Sequence, residues 1–141
     1  MGSAVYTDDD LEQVLRDLAS DVPRERVLTL QVLVYEPTGT ERLLPRLREL
    51  LDDRTPALLG LPYLYGEVRW IAAHTLAKEY RACGIGERVV VADIPYPLGV
   101  NALGALAEAH HIVTRGGHEG CLAAFAELRA RGLLEVTTLS L

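Results

Sequence analysis

The chain has 141 residues, 49% of them hydrophobic, with 14 Lys and Arg against 20 Asp and Glu. That apolar content excludes a disordered chain, and the length suits one domain, 1–141, with a core of its own. The net charge of −6 argues against wholesale phosphate binding, because nucleic-acid affinity rests largely on surplus Lys and Arg, and it suits a basic protein partner.

No apolar run approaches the roughly 18 residues of a membrane span, and the N-terminus lacks a basic-then-apolar signal pattern. A cytoplasmic location without a membrane partner is therefore expected. Cys83 and Cys121 have no CxxC spacing and read as reduced thiols.

Residues 1–6 read as a loose end. Thr7 or Asp9 can cap a helix from about Asp9 to Ser20, with Asp8 to Asp10 placing negative charge at its N-terminus. Leu11, Val14, Leu15 and Leu18 face inward there. Asp21 can cap the next helix, with Pro23 in its first turn; it turns Val27, Leu30, Leu33 and Val34 inward and stops near Tyr35. Thr40 opens TERLLPRLRELLDD, in which Leu43, Leu44, Leu47, Leu50 and Leu51 mark one helical face and Pro45 a kink or the true start.

Residues 54–66 are broken by Pro56, Gly60, Pro62 and Gly66, which deny them regular structure, yet they are apolar for a loop. From Glu67 to Cys83 runs the central helix, apolar on two sides, with Trp70 and Ile71 largely buried. Glu67, His74, Lys78 and Arg81 gather into a narrow polar strip. Beyond Gly84 and Gly86 the grammar changes. RVVVADI, residues 88–94, is β-branched and reads as a strand ended by Pro95. Helices follow from Asn101 to His110 and from His118 to Arg131, and LLEVTTLSL alternates as a second strand. The two strands are expected to pair, and the two helices to pack on the preceding helices.

LLPRLRELLDD, a connection and then EVRWIAAHTLA resemble the HEAT-type repeat family, including the HEAT-like repeats of phycobilisome lyases, over about residues 9–83. RVLTLQVLV is similar to the first helix of such a repeat, and the spacing from Val27 to Val68 falls in the repeat period of about 40–47 residues. The resemblance implies a mostly α fold: a HEAT-like helical repeat stack over 9–83. A small C-terminal α/β cap of two short strands and two helices over 84–141 would close it. It also implies that Arg69 of the Val-Arg pair bridges to Asp52 or Asp53.

Chemistry is sparse. His110, His111, His118 and Cys121 are the one set of metal-ligand type, but without CxxC or HExxH spacing no metal is expected, and no cofactor. TRGGHEG before a helix is a glycine turn with helix capping, since it lacks the spacing of a phosphate loop. No nucleophile elbow is present, so no catalytic residue is assigned. The expected function is therefore a non-enzymatic protein–protein interaction module, such as a small acidic adaptor or immunity-type inhibitor. Its partner-binding residues are Leu61, Tyr63, Leu64 and Tyr65 of the apolar connection and His74, Lys78 and Arg81 of the polar strip. Two other classes are weighed against it. One is an enzyme or cofactor-handling protein of the lyase-like HEAT-repeat kind, and the other is DNA binding through the helix-turn-helix-like C-terminal half.

Overall fold

The apolar run between Pro56 and Glu67 is a β-hairpin at the centre of the molecule, not an irregular connection. A computed structural model describes residues 6–61 and 63–141. Within them lie α1 (Asp8–Leu18), α2 (Pro23–Tyr35), α3 (Leu44–Glu49), α4 (Val68–Ala82), α5 (Val100–Ala109) and α6 (Gly117–Ala130). Between and after them come β1 (Pro56–Gly60), β2 (Leu64–Glu67), β3 (Val90–Pro95), β4 (Leu98–Gly99) and β5 (Val136–Ser140). The strands form two antiparallel sheets, one in the order β1-β2-β4 and one pairing β3 with β5. The fold is thus mixed α/β with helices and strands interleaved. The expected mostly α HEAT-like repeat stack is corrected.

The reason lies in how β1 and β2 are buried. Pro56 starts β1, where its missing N–H costs little. Ala57 and Leu59 then point into a core shared with Val27, Leu30, Leu33, Leu47, Leu76 and their neighbours. Leu58 and its cross-strand partner Tyr65 point the other way, into a second core built from Leu103, Phe125 and Leu128. A strand covered on both faces shows an unbroken apolar run, which looks the same as an apolar loop. Gly66 in β2 leaves room for the Leu59 side chain, since a Cβ there would fall 2.5 Å from Leu59 Cδ1. Pro62, in the turn, lies outside the described residues.

The first core is helical. α1 opens with a capping box, Thr7 accepting from the Asp10 N–H at 3.1 Å while the Asp10 carboxylate accepts from the Thr7 N–H at 3.0 Å. The helix expected from Thr40 to Asp53 is shorter: α3 is flanked by 3₁₀ turns at Glu41–Leu43 and Leu50–Asp52, and Pro45 stands in its first turn. α4 buries Val68, Ile71, Ala72, Thr75 and Leu76 as its pattern requires. Its Thr75 hydroxyl lies 2.9 Å from the Leu30 carbonyl of α2. Trp70 is partly buried, packs against this core and meets His74 at a tilt of 43°, ring centres 4.2 Å apart. Of the loose end expected over residues 1–6, residues 1–5 lie outside the described residues. Tyr6 itself packs on this core.

In the C-terminal part β3 and β5 pair as expected, from Val90↔Ser140 to Pro95↔Val136. α5 and α6 do not lie on α1, α2 and α4. They cover the far face of the β1-β2-β4 sheet and make the second core there. No helix among the described residues is long and apolar enough to cross a membrane.

Candidate functional site

A buried ionised group has to be paired, so the charged residues inside the fold show what is scaffold. Glu67, assigned from the sequence to a polar surface strip, is fully buried. Its Oε1 accepts from Arg69 Nε at 3.0 Å and its Oε2 meets Arg129 of α6. Arg69 also donates to the carbonyls of Ala92 and Asp93 at 3.2 and 2.6 Å, which ties α4 to β3. Burial first, then the neighbouring Arg54, pulls the Arg69 guanidinium below its ordinary value.

The expected bridge from Arg69 to Asp52 or Asp53 is therefore corrected. Arg26 of α2 takes the Asp53 carboxylate at 3.0 Å, and Arg69 meets only the Asp53 carbonyl, through its backbone N–H. Asp52 stands exposed. Glu79, also fully buried, accepts from the Thr38 N–H at 2.8 Å, the Thr38 hydroxyl at 2.9 Å and the Gly39 N–H at 2.9 Å. These charges hold elements together and leave no open site.

Tyr65, one of the expected binding residues, is buried beneath α6. Its hydroxyl lies 3.3 Å from His118 Nδ1 and beside the Cys121 thiol. Burial, and then the contact with Cys121, push the Tyr65 phenol up to about 12. A phenol held in its protonated form donates a hydrogen bond to a neighbour's lone pair and cannot serve as a base for the thiol. Cys121 is itself buried behind it, and only His118 reaches the surface. His110 follows the last residue of α5, and His111 turns the chain with a left-handed φ of 58°. Among the described residues no three His, Cys, Asp or Glu side chains are placed to share a metal ion.

The TRGGHEG segment is turn chemistry. Gly116 precedes α6 with a φ of 97°, and a Cβ on Gly120 would fall 1.9 Å from the Arg115 carbonyl oxygen. Beside it an open groove of about 760 Å³ runs along α5, with Asn101, Glu108, His111 and Arg115 among its lining residues.

The exposed apolar side chains form the feature of most functional interest. At the hairpin tip Leu61 is 85% exposed and Tyr63, held at a left-handed φ of 53°, is 52% exposed; Leu64 is half-buried. On α2, Leu28, Val32 and Tyr35 recur at i, i+4 and i+7 along the outer face, with Val32 55% and Tyr35 87% exposed. Gln31 of the same helix donates its side-chain amide to the Leu59 carbonyl, which fastens the tip end of β1 to α2. Leu28, Val32 and Tyr35 were not singled out from the sequence. The signal was there, because VLTLQVLVY is apolar on every side while the fold covers one side only. His74 is half-buried, while Lys78 and Arg81 are exposed. That strip lies along α4, which begins at the end of β2 opposite the tip.

No family model matches this chain, and no match was found among curated proteins or solved structures.

Proposed function

We propose that this protein is a non-enzymatic protein-binding module whose partner lies across the outer face of α2 and the neighbouring hairpin tip. The observation that supports this reading is the set Leu28, Val32, Tyr35, Leu61 and Tyr63, five large apolar side chains exposed on α2 and at the tip bonded to it. Single exposed apolar residues are ordinary, but a run of them along one helix face marks an interaction surface. Tyrosines are the residues such surfaces favour, since they combine a large apolar face with a polar end. Leu64, Tyr65, His74, Lys78 and Arg81 stay outside the proposed surface. A cytoplasmic setting belongs to the proposal and is supported by the free thiols of Cys83 and Cys121.

The test is site-specific photo-cross-linking in the source lysate, with the reactive side chain at position 32, at position 61 or at the exposed Glu87. One partner labelled from 32 and 61 but not from 87 is the expected result. Val32→Glu should then weaken that complex by about 2 kcal/mol or more. No labelled partner, or equal labelling from all three positions, removes the proposal.

A further inference from the structure

The groove between α1 and α2 is apolar along its floor and acidic around its rim. Tyr6 and Val14 make one wall; Leu28, Thr29, Val32 and Leu33 make the other, around about 170 Å³. On α1, Asp10, Val14 and Asp17 follow at i, i+4 and i+7, so a carboxylate flanks the apolar wall residue on each side. On the α2 face, Glu25, Leu28, Thr29 and Val32 follow at i, i+3, i+4 and i+7, and Glu36, which caps the helix, lies at the Tyr6 end of the groove, so a carboxylate stands at each end of the apolar stretch.

These four carboxylates differ from the acids on the opposite side of α1. There Arg42 approaches Asp8 at 3.8 Å and Glu12 at 3.7 Å. Among the described residues Asp10, Asp17, Glu25 and Glu36 lie in no ion pair. The side-chain hydrogen bonds of the first three come from neutral groups: the Thr7 N–H, the Gln13 amide and the Ser20 hydroxyl. Their field reaches Tyr6, whose hydroxyl donates to the Glu36 carbonyl at 2.7 Å. Burial first, and then Glu36, Glu79 and Asp10, push that hydroxyl above its ordinary value.

We infer that this groove takes a basic amphipathic helix of a partner protein, an inference that rests on the protein-binding reading above. The apolar face of that helix lies on Val14, Leu28 and Val32, and its Lys or Arg residues stand over Asp10, Asp17, Glu25 and Glu36. The shape fits, because two packed helices leave a furrow into which the side chains of a third can lie. α2 spans 13 residues, about 20 Å, enough for between three and four turns of a bound helix. The charge selects the class. An anionic membrane surface or a nucleic acid would meet the same four carboxylates as repulsion, and a second copy of this chain brings its own net charge of −6.

Two labelled peptides of about 14 residues test this, with Leu at helical i, i+3, i+4 and i+7 positions and either Lys or Glu elsewhere. The Lys peptide is expected to raise fluorescence anisotropy, with affinity falling about tenfold between low and high salt. The Glu peptide should bind at least about tenfold more weakly, and both Val32→Glu and Leu28→Glu should cost the Lys peptide about tenfold. The combined variant Asp10→Asn, Asp17→Asn, Glu25→Gln, Glu36→Gln should bind both peptides alike. Each variant is first matched to the parent protein in thermal midpoint; all the substituted side chains are exposed except that of Asp17, which is half-buried. Equal binding of the two peptides, or Lys-peptide binding untouched by both apolar variants, overturns the inference. So does a dimer in light scattering that Val32→Glu dissolves. If the Lys peptide fails while cross-linking from position 32 still finds a partner, the basic-helix inference falls and the binding reading stands.

Discussion

Glu67 at the end of β2 and Arg129 in α6 form an ion pair that joins the two hydrophobic cores across the sheet between them. The carboxylate has no exposure, while the Arg129 side chain is 30% exposed. The pair is therefore unequal. Glu67→Gln leaves Arg69, deeply buried, without its counter-charge, and should cost about 3–5 kcal/mol, the usual range for breaking one side of a buried pair. Arg129→Met leaves Arg69 in place on Glu67 and should cost clearly less. Urea denaturation of the two variants checks the order. A Glu67→Gln midpoint close to the parent would show that the buried carboxylate contributes nothing.

Tyr63 and Tyr65 stand two residues apart and should behave in opposite ways. Tyr65 fills the second core and its hydroxyl meets His118, so Tyr65→Ala should destabilise by about 3–5 kcal/mol, as large core truncations do. Tyr63 stands at the turn, and Tyr63→Ala should move stability by less than about 0.5 kcal/mol. On the proposed protein-binding reading, its effect falls on partner binding instead. Thermal unfolding of the two single variants separates these roles, and a matched pair of midpoints would contradict the placement of Tyr65.

His74 gives the fold a pH dependence of definite sign. Burial lowers its pKa below the ordinary 6.5, and its Nε2 has no hydrogen-bond partner among the described residues. The unfolded chain therefore binds the proton more readily than the folded one, so stability rises with pH across the window between the lowered folded value and 6.5. Put the other way, stability is lost as pH falls from 6.5 toward that lowered value, and the loss levels off below it. His74→Gln should flatten the dependence in that window. Trp70 is the one tryptophan and meets this imidazole, so its fluorescence should report the same protonation. A His74→Gln protein with an unchanged pH profile between about 5 and 7 would sink this assignment.

Periodicity was enough to find the helices, because α1, α2, α4, α5 and α6 each turn a recognisable apolar face inward. Boundaries shifted by one or two residues, except in the third helix, both ends of which are 3₁₀ turns. The strand pair β3 and β5 was visible in the β-branched residues of VVVADI and VTTLS. The hairpin was not, because Ala57 and Leu59 serve one core while Leu58 and Tyr65 serve the other. Alternation disappears when both faces are apolar. Pro56 and Gly66 then looked like breakers, although one begins a strand and the other lets Leu59 cross it.

The candidate site was legible only in part. Leu61 and Tyr63 were found because they were apolar in an apparent loop, and both are exposed. Tyr65 carried the same signal and turned out to be core. Leu28, Val32 and Tyr35 were passed over because inward-facing residues of α2 share their chemistry. The buried roles of Glu67 and Glu79 escaped notice for a related reason. An acid is solvated far more often than it is enclosed, and the groups that enclose these two, Arg129 for Glu67 and the Thr38–Gly39 loop for Glu79, lie far away in sequence.

The bond between Gln31 and Leu59 has a consequence for how the protein avoids sticking to its own copies. The ladder passes from Leu58↔Tyr65 to Gly60↔Leu64, so Leu59 is left over at a bulge with no residue opposite it. β1 is the outermost strand of its sheet, and such an edge is a template on which another chain can pair its backbone and begin a fibre. The bulge interrupts that template, and the Gln31 amide occupies the carbonyl it leaves free. The backbone of this edge is thereby less open to another chain, so the apolar side chains beside it stand exposed without offering a strand template for amyloid-like growth.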